Sequence, residues 1–98
     1  MSKVYVKTMT RGSDRLVAVC DEAILGETLE GGRVPFKVSE GFYKGTLGDV
    51  EEAIAAMRQA TICHLLVPAI VEAAIECDMV HERAVIYFGD IPHAQIIK

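Results

Sequence analysis

The sequence predicts an α+β fold in one domain. A mostly antiparallel sheet, built from an N-terminal hairpin, a middle strand and two C-terminal strands, packs against a helical segment broken near Val67-Pro68. Three observations lead there. The 98 residues are 51% apolar and 24% charged, enough for one packed core, which at this length takes roughly 60–70% of the unfolded surface out of water. Both ends of the chain alternate or cluster β-prone residues, whereas the stretch between them repeats its apolar residues at helical spacing. The order strands, helices, strands favours a segregated sheet and helices over a doubly wound fold.

Lys3-Val4-Tyr5-Val6-Lys7 alternates polar and apolar, and Leu16-Val17-Ala18-Val19-Cys20 is β-prone across the turn Arg11-Gly12-Ser13-Asp14, so the two runs form a hairpin. Val4 and Val6 face the core. Lys3, Tyr5 and Lys7 are left on the other face, two cations around an aromatic ring. Asp21 is placed to cap a short helix over Glu22 to Leu25, which Gly26 ends in a left-handed conformation. Val34 to Val38 reads as a strand, with Pro35 near its start suiting an edge. Residues 39–48, punctuated by Gly41, Gly45 and Gly48, read as a loop.

Asp49 and Glu52 form a capping-box pattern ahead of Val50, Ile54 and Met57, which predicts a helix over residues 50 to about 59. The apolar period continues through Ile62, Leu65, Leu66, Ala69 and Ile70. Pro68 cannot donate its amide inside a helix, so the helical segment breaks near Val67 and a second helix starts at Pro68 and runs to about Cys77. Between them lies a short middle segment. Ala84-Val85-Ile86-Tyr87-Phe88 and Ala94-Gln95-Ile96-Ile97 close the chain as strands around a turn that holds Pro92 and His93.

The formal net charge is −4, which argues against a broad nucleic-acid surface. Residues 1–15 are nevertheless basic, with Lys3, Lys7, Arg11 and Arg15 against Asp14, and a local patch is enough for phosphate contact; a solvated strand face accounts for the same residues. No run approaches the ~18 apolar residues of a membrane span, and charges stand where a signal peptide would be apolar. Three cysteines without regular spacing fit reduced thiols in the cytoplasm.

Three stretches, Val19-Cys20-Asp21-Glu22-Ala23-Ile24-Leu25-Gly26, Val38-Ser39-Glu40-Gly41-Phe42-Tyr43-Lys44-Gly45 and Ile91-Pro92-His93-Ala94-Gln95, together resemble the archaeal family named domain of unknown function 424. The similarity spans nearly the whole chain. It implies a small archaeal cytoplasmic protein and supplies no mechanism. The family pattern carries an Asn-Leu-Val-Gly-like turn where this chain reads His64-Leu65-Leu66-Val67-Pro68; the sequence departs there, with Pro68 keeping the break that the glycine would supply.

Four groups of residues carry candidate chemistry. Cys20 before a helix start gains from the helix dipole as a nucleophile, yet Asp21 and Glu22 beside it oppose that shift, and core packing plus capping account for all three. His93 follows Pro92, which fixes the backbone and, in a cis bond or not, aims the imidazole; a structural histidine held by one hydrogen bond is the alternative. Phe42-Tyr43-Lys44 offers a stacking surface and a cation, or else Phe42 plugs the core. Cys63-His64 and Cys77 with His81 are good zinc ligands by type, but they lack paired-cysteine spacing and fit as small buried residues, so no metal and no cofactor is expected.

The leading expectation is a binding module for RNA, a ribonucleoprotein or a protein partner. It works through Phe42, Tyr43 and Lys44, the Lys3/Tyr5/Lys7 face and the turn carrying His93 and Gln95, with binding that weakens steeply in salt and is lost when Tyr43 and Lys44 are both changed to Ala. The rival is a hydrolase or transferase in which His93 is general base or metal ligand, oriented by Asp21 or Glu22. A third is a homo-oligomer subunit paired through the edge near Pro35 or through the terminal strand. All three readings need the corners near residues 20, 43 and 93 to converge.

Overall fold

In a computed structural model describing residues 3–98, the N-terminal alternation becomes β1 (Val4–Arg11) and β2 (Asp14–Asp21), antiparallel from Val4 opposite Asp21 to Arg11 opposite Asp14. Gly12 makes the turn with φ of 62°. Residues Glu22–Ile24 form one 3-10 turn. Asp21 makes no side-chain capping bond there; the amide of Glu22 donates to the Lys3 carbonyl at 3.1 Å, so the hairpin itself holds the first residue of the turn in place.

The middle strand is shorter than expected and leaves the main sheet. β3 (Thr28–Leu29) pairs with β4 (Phe36–Lys37) in a separate two-stranded ribbon, and Pro35 stays outside it, consistent with a residue that cannot donate to a ladder. Residues 39–48 are likewise more ordered than a loop: they hold α1 (Glu40–Tyr43) and β5 (Thr46–Gly48). Between these two elements, a Cβ on Gly45 would collide with the Val6 carbonyl, so only glycine lets the chain cross β1 this closely.

α2 (Val50–Arg58) carries both halves of the capping box: the Glu52 amide donates to Asp49 Oδ1 at 2.8 Å and the Asp49 amide to Glu52 Oε1 at 3.2 Å. α3 (Pro68–Glu76) starts with proline in its first turn, as expected. The segment between them is not helical. Ile62–Leu66 is β6, parallel to β2 from Leu16 opposite Ile62 to Cys20 opposite Leu66. A strand buried on both faces reads as an unbroken apolar run, which fits a helical period equally well.

β7 (Ile86–Phe88) and β8 (Ile91–Ile97) finish the chain. Their turn is Gly89-Asp90, with Gly89 at φ of 64°, so Pro92 and His93 lie inside β8 and not in the turn. No cis peptide bond occurs among the described residues. Pro92 is tolerated because the ladder between β6 and β8 has already ended at Leu65 opposite Ala94.

The six-stranded sheet runs β5-β1-β2-β6-β8-β7, antiparallel everywhere except between β2 and β6. Alternation divides its side chains between two cores. Val4, Val17, Val19, Cys63, Leu65 and Ala94 pack under α2 and α3 with Met57 and Ile70. Ala18, Cys20 and Leu66 point the other way, beneath Leu29, Val38 and Tyr43 of the ribbon and α1. No helix among the described residues is long and apolar enough to cross a membrane.

Candidate functional site

The second face of the sheet carries the site. On β6, Cys63 and Leu65 enter the helix-side core, so His64 between them faces the ribbon. On β8, Ala94 and Ile96 do the same, which sends His93 and Gln95 to His64's side. His64 stands directly opposite Gln95, and His93 is the diagonal neighbour, with ring centroids 6.1 Å apart and planes inclined by 40°.

Aromatic rings surround this pair. Phe42 of α1 meets His64 edge-on at 5.3 Å, and Phe36 of β4 lies 5.5 Å from His93 and 5.1 Å from Phe88. The result is an open groove of about 300 Å³. Phe36 and Lys37 form one wall, Ser39, Phe42 and Tyr43 the other, and the imidazoles the floor. Gly31 and Gly32 let the ribbon sit close: a Cβ on Gly31 would lie 2.6 Å from the Gly89 amide nitrogen.

Burial lowers the pKa of His64, and burial followed by the nearness of His64 lowers that of His93. Both imidazoles are therefore neutral at neutral pH. Burial, with Asp21 adding to it, pushes the Cys20 thiol up to about 11, which makes it a poor nucleophile. The Tyr43 phenol is raised by burial and then by Cys20.

The structure brings together some of the residues singled out in the sequence. His93 and the Phe42-Tyr43 pair share the groove. Tyr43, however, is only 2% exposed, so its ring belongs to the wall and the accessible stacking face passes to Phe42. Lys44 is exposed, 4.0 Å from Glu40 in an i,i+4 pair, and does not line the groove. Lys7 donates to the Gly41 carbonyl and so ties α1 to β1; Tyr5 packs on the core beneath the ribbon. With Lys3 exposed at the strand start, the expected cationic stripe is split among three tasks. Gln95 is exposed beside His64. Asp21, its pKa raised by burial, and Glu22 lie at the end of β2 and form no part of the groove walls.

Four participants escaped the sequence reading as groove residues: His64, Phe36, Lys37 and Ser39. The only signal for His64 was a single polar side chain inside the apolar run Ile62-Cys63-His64-Leu65-Leu66. The zinc grouping does not assemble, because Cys63 faces the helices, Cys77 is exposed past the end of α3, and His81 Nδ1 accepts from the Arg83 amide at 3.1 Å. No group of three or more His, Cys, Asp or Glu gathers among the described residues.

A family model described as "Protein of unknown function (DUF424)" matches residues 8–98. No curated protein matches the chain. Among solved structures, the chain is similar to the crystal structure of an uncharacterized conserved protein from Methanopyrus kandleri, with a TM-score of 0.77 and 21% identity over 98% of this chain and 94% of that one. At that identity the likeness is one of fold.

Proposed function

We propose that this chain, which belongs to the DUF424 family of proteins of unknown function, is a small cytoplasmic binding module that takes an unstacked base of single-stranded RNA into the groove between Phe36 and Phe42. The observation that carries this reading is the pair of half-buried phenyl rings flanking an open, apolar slot. At about 300 Å³ the slot is at the small end of ligand pockets and suits one planar ring. Stacking on an aromatic side chain contributes about 1–3 kcal/mol per base. Lys37 at the groove and the exposed Lys44 just past α1 are cations available to the flanking phosphates.

Two phosphate contacts give a salt slope of only about −1.4 in log K against log salt, in keeping with a chain of net charge −4. Fluorescence anisotropy with labelled homopolymeric RNA hexamers tests the reading. Binding should weaken gently with salt and fall about tenfold or more in Phe36→Ala and in Phe42→Ala, one stacked base each; equal affinity in wild type and both variants would count against it. The hydrolase reading finds a neutral imidazole in His93 but, among the described residues, no carboxylate lining the groove beside it.

A second reading rests on β7, an open edge of the sheet with Ile86 58% and Tyr87 56% exposed. Such an edge pairs with another copy unless blunted. Sedimentation over a range of concentration tests it; a monomer throughout removes it.

A further inference from the structure

We infer that His64 and His93 are the groove's edge readers and its proton gate: as neutral imidazoles they hydrogen-bond the edge of a neutral heterocyclic ring, and a proton on either one empties the groove. This rests on the base-binding reading above and adds the residues that recognise the base and the condition under which they do so.

The first support is an unspent hydrogen-bonding capacity. Among the described residues, no side-chain hydrogen bond reaches either imidazole, although the chain's third histidine, His81, is engaged. A neutral imidazole offers one donor and one acceptor, so the floor presents two of each. Both rings are half-buried between phenyl walls, and neither is a buried unsatisfied group, so their nitrogens stay open to solvent until a ligand covers the floor, when a partner from the ligand is needed. A ring that carries donors and acceptors along one edge satisfies the floor while its faces meet the phenyls. A purely hydrocarbon ring would leave the imidazoles unpaired.

The second support is the charge surrounding the pair. From β4, Lys37 lines the groove with its ammonium hydrogen-bonded to the Gly26 carbonyl at 2.7 Å. α1 contributes Ser39 and the protonated Tyr43 phenol, β8 contributes the uncharged Gln95, and β2 contributes the protonated Cys20 thiol. Asp21, at the end of β2, is outside the walls, and among the described residues no carboxylate lines the groove. A proton on one imidazole thus meets a second imidazole at 6.1 Å, with no carboxylate among the described residues lining the groove, and the protonated nitrogen no longer accepts from the base.

Imidazole NMR titration of the full chain, run beside anisotropy with adenylate, cytidylate and uridylate hexamers between about pH 7.5 and about pH 5, tests this. Both histidines should titrate below 6.5, and hexamer affinity should fall about tenfold in step with them. His64→Gln should raise the His93 titration and flatten the pH dependence of binding. His93→Gln should flatten it as well, which guards against a defect of one variant. Affinity unchanged across the range, or two histidines titrating independently at or above 6.5, overturns the gate while leaving base binding in place. If no hexamer binds at about pH 7.5, the base reading falls and the gate with it.

Discussion

His64 and His93 face each other across neighbouring strands with ring centroids 6.1 Å apart, and burial holds both below the ordinary imidazole value of 6.5. Stability must follow. As pH falls through 6.5 the unfolded chain takes up protons that the folded chain refuses until its own lower values are reached. Their neutral burial therefore costs nothing above about pH 6.5 and destabilises progressively below it, levelling off once the folded imidazoles also protonate. Thermal melting should show Tm falling between about pH 7 and about pH 5, with a smaller fall in His64→Gln and His93→Gln.

The thiols should separate by burial. Cys77 is exposed, whereas Cys20 and Cys63 are buried, and burial raises both of their pKa values. A chromogenic disulfide reagent on native protein near neutral pH should label Cys77 quickly and the other two only after denaturant is added. Rapid native labelling of Cys20 would mean that the ribbon and α1 do not cover it.

Removing the capping box should destabilise without altering the groove. Asp49→Ala leaves the Glu52 amide unpaired and should cost about 1 kcal/mol, measured by urea unfolding. The His64 and His93 resonances should stay in place, since α2 packs on the opposite face of the sheet.

Gly45→Ala should do more harm than its single methyl suggests. The new Cβ meets the Val6 carbonyl, a backbone atom that cannot swing aside, so β1 and the end of α1 must separate. A loss of about 1–3 kcal/mol is expected from such overpacking, with resonance shifts at Phe42 and Lys7. The same substitution at Gly41, where the nearest atom is the Ser39 hydroxyl oxygen at 3.6 Å, should be much milder.

The hairpin, α2 and α3 were legible because local chemistry specifies them: the alternation around Tyr5, the Asp49-Glu52 box and Pro68 at a first helical turn. β6 was not, since Ile62 to Leu66 is covered on both faces and so lacks the polar alternation that marks a half-exposed strand. The ribbon was misplaced because strands of two residues carry almost no period. These two errors hid the site's partner. His93 and Phe42 stand out in the sequence as chemistry, but only the parallel pairing of β6 with β2 turns His64 toward them. Tyr43 shows the converse: its type suits stacking, while its position under the ribbon makes it wall.

Backbone and side-chain NMR of the labelled chain, titrated with a homopolymeric RNA hexamer at low salt, tests base binding most directly. Shifts concentrated at Phe36, Phe42, His64 and His93 are expected. Shifts confined to β7 around Ile86 and Tyr87, or none anywhere with every hexamer, would contradict it.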